Sequence, residues 1–159
     1  MRRPGGHLVP ALGAALLGRL AGGRRVPLTV QVLTLRAFVP WLHDRLPLPD
    51  FLHLLAGPPA TNGASPRGVP PVPEVFGHTE HWLRHRRLTR TTCLYRALIR
   101  YGLLRRSGAR GLSFRLGLRT EDGELIGHAW LEQHGQPLGE RLEHEYEITF
   151  QHPNPEDRR

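Results

Sequence analysis

From Leu28 to Leu46 the apolar positions Val32, Leu35, Val39 and Leu42 recur every three to four residues. That spacing lines one face of a helix, which Pro40 should bend or break because proline lacks the N–H donor. Leu48 to Leu55 reads as a second, short helix, with Pro49 in its first turn and Asp50 placed favourably on its dipole. Pro58 to Pro73, rich in Pro and Gly, cannot hold a helix and lacks strand alternation, so it reads as a linker. Helical spacing resumes over Glu74 to Arg86, with Val75, His78, Trp82 and His85 on one stripe. Thr91-Thr92-Cys93 then opens a further helix towards Arg106, closed by Gly108 as its C-terminal cap.

Beyond Gly108 the period falls to two. Leu112, Phe114, Leu116 and Leu118 alternate with Ser113, Arg115, Gly117 and Arg119, the pattern of a half-buried strand. Glu121-Asp122-Gly123 is a hairpin turn, Glu124 to Gln133 a second strand, His134-Gly135 another turn, and Tyr146 to Phe150 a last alternating strand. Helices followed by an antiparallel sheet make an α+β domain, with no internal repeat.

A chain of 159 residues with 39% hydrophobic content supports one modest core, which these patterns place in the second half. The expected organisation is a disordered Gly- and Arg-rich leader over 1–25, a helical segment over 26–57, a linker over 58–73, the domain that carries the chemistry over 74–153, and a tail over 154–159. The net charge of +8 comes from arginine alone, since the chain has no lysine. A GC-rich coding bias towards Arg, Gly, Ala, Pro and Leu accounts for this without a nucleic-acid partner. The single cysteine excludes an intramolecular disulfide and fits a reducing cytoplasm. Arg2 and Arg3 before the apolar Leu8 to Leu17 imitate a secretory signal. Pro10 and Gly13 interrupt it, however, and Gly22-Gly23-Arg24-Arg25 stands where a small-residue cleavage site belongs. No apolar run is long enough for a membrane span.

Cys93 falls in the first turn of its helix, where unpaired N–H groups and the dipole favour a thiolate, and Arg90 and Arg96 should add to that field. The alternative is a small buried hydrophobe. On the second strand His128, Trp130 and Glu132 face one side and Ala129 and Leu131 the other. A helix-terminal thiol, a strand histidine and a nearby carboxylate together meet the needs of thiol activation, in which a base takes the proton and a third group orients the base. Two carboxylates compete for that last role. Glu132 shares the His128 face but lies two residues along it. Glu140 lies past the His134-Gly135 turn, and its side depends on register: a three-residue loop puts it diagonal to His128, while a two-residue loop pairs it with Ala129 and points it away.

Thr92-Cys93-Leu94-Tyr95-Arg96-Ala97-Leu98, the strand ending Leu116-Gly117-Leu118-Arg119, and Gly127-His128-Ala129-Trp130-Leu131-Glu132 followed by Gly135-Gln136-Pro137-Leu138 resemble the transglutaminase-like proteins of lasso-peptide biosynthesis. These are leader peptidases, relatives of the microcin-processing protein, and the resemblance covers about residues 80 to 153. It implies a papain-like cysteine-protease core with N-terminal helices, Cys93 as nucleophile and His128 as base. The third family position, an aspartate, is here Glu140. The resemblance implies no cofactor, a precursor peptide as substrate, a separate leader-recognition protein, and a cyclase acting on the released core peptide.

The backbone N–H of Cys93 is the natural oxyanion donor. His78, His81 and His85 lack the spacing and company of a zinc site. Asp122 reads as a turn residue, and the four arginines between Arg84 and Arg90 as a solvated face. Two rivals remain: acyl transfer to an amine at the same site, and a noncatalytic peptide- or nucleic-acid-binding protein in which Cys93 is inert.

Overall fold

The computed structural model describes residues 27–57, 72–84 and 92–153. They form four helices, α1 (Leu28–His43), α2 (Leu48–Ala56), α3 (Val72–Arg84) and α4 (Cys93–Arg106), and four strands, β1 (Leu112–Glu121), β2 (Glu124–Gln133), β3 (Gln136–Pro137) and β4 (Glu147–His152). The strands make one antiparallel sheet in the order β3-β2-β1-β4, so the architecture is α+β. The leader 1–25, the tail 154–159 and the linker up to residue 71 lie outside the described residues.

Pro40 does not break α1. It sits in the last turn, where its missing donor forfeits a single bond, and its own carbonyl still accepts the Asp44 N–H at 3.2 Å. The helix closes at His43 rather than Leu46. α3 begins two residues earlier than expected: Val72 and Pro73 belong to it and not to the linker, because an N–H is unpaired in a first turn anyway.

The core is not confined to the second half. Val32, Leu35 and Val39 of α1 and Phe51, Leu52 and Leu55 of α2 are as fully buried as Leu98, Ile99 and Leu104 of α4. α4 is the central element, approached closely by α2 because Gly102 has no side chain: a Cβ there would lie 3.3 Å from Leu55 Cδ2. Polar ties fix α3 in place. The buried Arg36 guanidinium of α1 donates to the Trp82 carbonyl, one of the orphan acceptors near the end of α3. From α4, Arg100 reaches Glu80 at 2.6 Å and Thr79 at 3.1 Å.

The sheet turns Leu112, Phe114 and Leu116 of β1 and Ala129 and Leu131 of β2 towards the helices, with Phe114 opposite Leu131 and Leu116 opposite Ala129. His128, Trp130 and Glu132 stand on the other face, as alternation predicts. The β1–β2 turn is Asp122-Gly123, both with positive φ (51° and 80°), the conformation its sequence favours. β4 starts at Glu147 and not Tyr146. A bulge at Leu116/Gly117 shifts its register, and Tyr146 leaves the ladder to lie over His128.

Candidate functional site

Thr92 caps α4 by accepting the Tyr95 N–H on its hydroxyl at 3.3 Å, which places Cys93 as the first helical residue. The thiol stands against the outer edge of β2. Leu138 N–H donates to the Leu131 carbonyl at 2.8 Å, so the backbone polar groups of alternate residues, Leu131 and Ala129 among them, point to that edge. β3 pairs only with Glu132 and Gln133, and the Ala129 N–H is therefore left for the sulfur of Cys93. The early end of β3 thus creates a place for the Cys93 thiol.

His128 reaches the same place from the other side of the strand. Its ring lies 5.9 Å from that of Trp130, nearly parallel, and 5.4 Å from that of Tyr146. Gly117, opposite His128 in the hairpin, makes room for this cluster: a Cβ there would sit 2.7 Å from Tyr146 Cβ and 3.0 Å from Trp130 Cη2. The Nε2 atom of His128 is 2.9 Å from Glu140 Oε2, which leaves Nδ1 for the thiol.

Glu140 arrives there by a route that register alone does not foretell. The β2–β3 loop has two residues, His134 and Gly135, and by extension Glu140 would pair with Ala129 and point away. The ladder instead stops at Pro137. Gly139 then takes a left-handed φ of 75° and turns Glu140 back onto His128. A Cβ on Gly139 would overlap the Phe76 ring of α3, so conformation and contact both call for glycine. Gly139→Ala should misplace the carboxylate and slow any His128-dependent reaction by about 10²-fold. Adding Phe76→Ala should restore part of the rate by removing the overlap. Full activity in the single variant would show that Glu140 does not depend on this turn.

The other candidate orienter, Glu132, is engaged elsewhere. It is buried, accepts the Trp130 indole N–H at 3.1 Å, and its second oxygen lies 2.8 Å from Arg115 Nε as an ion pair without hydrogen-bond alignment. Arg96, expected to strengthen the field at the thiol, is directed to Glu80 at 3.1 Å. Arg90 and His85 lie outside the described residues. Among the described residues no group of three or more His, Cys, Asp or Glu is placed to hold a metal ion.

The electrostatics follow from these contacts. Above all, the hydrogen bond with His128 draws the Cys93 thiol below its usual 9.0. Burial opposes this, while the N–H groups of Ala129 and Leu94 assist. His128 is pushed up from 6.5 to about 9, first by its bond with Cys93 and next by Glu140, against burial. Both shifts favour a thiolate–imidazolium pair near neutral pH. Alkylation of Cys93 by iodoacetamide should therefore stay fast as pH falls through 8 and 7, where an ordinary thiol fades. A rate profile with its midpoint at or above 9 would show that no such pair exists.

Cys93, His128 and Glu140 line one small pocket with Phe76, Arg96, Arg100 and Leu138. Sequence reasoning singled out the first three. It missed the contributions of Phe76, Gly139 and Tyr146, though the hairpin register that sets Gly117 opposite His128 was readable. A family model of the transglutaminase-like superfamily matches residues 33–151, a span that includes most of α1 and every residue of the pocket. No curated protein and no solved structure matches the chain.

Proposed function

Because the chain belongs to the transglutaminase-like superfamily, we propose that it is a cysteine peptidase that removes the leader from a ribosomally made precursor peptide, as in lasso-peptide maturation. The observation that supports this reading is the convergence of Cys93, His128 and Glu140 on one pocket, with the imidazole between thiol and carboxylate. The Cys93 thiolate attacks the scissile carbonyl carbon, and the negative charge moves to the carbonyl oxygen, towards the Cys93 backbone N–H at the helix start. As the C–N bond breaks, the proton on His128 Nδ1 passes to the leaving amine and a thioester remains on Cys93. His128, now neutral, takes a proton from water, which attacks the thioester and releases the leader as a carboxylic acid. Glu140 accepts the Nε2–H throughout and stabilises each imidazolium. These steps use no cofactor.

In this reading a separate protein captures the leader, since the described part of the first half is helical and offers no strand edge for it. A cyclase receives the core peptide. The site of action is the cytoplasm, where a reducing environment keeps the thiol free. No described helix is long and apolar enough to cross a membrane.

The test is to incubate the purified chain with a precursor peptide and a leader-binding protein, with and without a small primary amine, and to weigh the products. Free leader and core, absent with Cys93→Ala, are expected. Cleavage that survives Cys93→Ala, or amine attached to the peptide in place of hydrolysis, would overturn the peptidase reading.

A further inference from the structure

Cys93, Arg96, Ala97 and Arg100 stand at i, i+3, i+4 and i+7 of α4, so one helix face presents a nucleophile and two guanidinium groups to the same pocket. The two arginines are not equivalent. Arg100 is a structural cation: its side chain is 7% exposed, its Nη2 is 2.6 Å from Glu80, its Nε donates to Thr79, and its guanidinium lies 4.5 Å above the Phe76 ring. It holds α3 against α4. Arg96 is 42% exposed and reaches the same oxygen of Glu80 at the longer distance of 3.1 Å, through one Nη atom. The closer Arg100 already neutralises that oxygen, and a partly exposed pair of this kind exchanges its partner at little cost. The remaining N–H donors of the Arg96 fork are therefore available at the wall of the pocket, about one helical turn from the sulfur. Glu140, the carboxylate that lines the pocket, is held by His128.

We infer that Arg96 is a specificity residue that receives a carboxylate of the substrate beside the carbonyl attacked by Cys93. The inference rests on Cys93 being the nucleophile of the proposed peptidase. Its ligand is a carboxylate, supplied either by an acidic side chain next to the scissile bond or by a peptide C-terminus close to it. A guanidinium fork favours a planar carboxylate by bidentate contact, which the single-atom contact with Glu80 leaves unfilled.

Two alkylating agents test this without any peptidase activity. Iodoacetate carries a carboxylate next to its reactive carbon, and iodoacetamide is its neutral counterpart. The ratio of their rates at Cys93, taken within each protein, reports attraction of the carboxylate. Arg96→Gln should lower this ratio roughly threefold at low salt, Arg96→Lys should keep most of it, and high salt should shrink the difference. Arg110→Gln removes the same charge from an exposed position past the far end of α4 and should leave the ratio unchanged. An unchanged ratio in Arg96→Gln, or an equal fall in Arg110→Gln, would overturn the inference.

Peptides then separate the two sources. A Glu-for-Gln preference in KM beside the cleaved bond that disappears in Arg96→Gln identifies a side chain. A free-acid preference over a C-terminal amide that disappears in the same way identifies the terminus. If the alkylation ratio responds to Arg96 while no peptide is cleaved, the carboxylate site stands and the peptidase reading falls.

Discussion

In the proposed peptidase reaction His128→Ala should reduce cleavage by about 10³- to 10⁴-fold, close to the floor set by Cys93→Ala. The size of the effect follows from three roles joined in one ring. The imidazolium stabilises the thiolate, as the hydrogen bond that lowers the Cys93 pKa shows, and its loss returns the thiol towards 9.0. That change alone removes most of the nucleophile at neutral pH. In the proposed reaction the same ring supplies the proton to the leaving amine, which cannot depart as an anion, and later activates water against the thioester. Because these roles act on one reaction path, the double variant Cys93→Ala/His128→Ala should be little slower than either single one. Single-turnover kinetics on the precursor peptide check this directly. A His128→Ala protein that keeps a tenth or more of the wild-type rate would exclude the imidazole as acid and base, whatever its distance from the sulfur.

The helix that carries Cys93 was legible because its signals are local. Thr92 can cap, and the apolar residues from Leu94 onwards keep helical spacing to Leu104. The β1–β2 hairpin was legible for the same reason: Asp122-Gly123 sets the turn, the turn sets the register, and the register places His128 opposite Gly117. What escaped depends on contacts between distant parts of the chain. The apolar stripe of α1 reads equally as a surface cap or as core, and only the closeness of α4 makes Val32 and Leu35 fully buried. The position of Glu140 could not be read from strand alternation because the strand ends at Pro137. Its path then depends on a glycine turn seated against Phe76, from a helix more than fifty residues earlier. Glu132 shows the opposite case. It shares the face of His128, yet Arg115 on the neighbouring strand and the Trp130 indole claim both of its oxygens, a competition that the hairpin register already contained.

The two carboxylates should accordingly respond to the same substitution in different ways. Glu140→Gln keeps the size of the side chain and an oxygen able to accept the Nε2–H, but removes the charge opposite the imidazolium. His128, held at about 9 partly by that carboxylate, should titrate lower, and the thiolate–imidazolium pair should weaken with it. Cleavage should fall by about 10²- to 10⁴-fold with little change in thermal stability, since Glu140 is partly exposed. Glu140→Asp should recover only part of the rate, because the Gly139 turn fixes the backbone and the shorter side chain leaves the carboxylate one methylene short. Glu132→Gln should do the reverse. It leaves the half-buried Arg115 without its counter-charge and should cost about 1 to 3 kcal/mol of stability, while the protein that remains folded cleaves at a near-normal rate. Melting curves and kinetics measured on both variants at a temperature where both are folded decide the matter. Near-normal cleavage by Glu140→Gln beside a collapse in Glu132→Gln would transfer the orienting role to Glu132. Normal cleavage in both would leave Cys93 and His128 as a dyad, with the 2.9 Å contact to Glu140 a structural one.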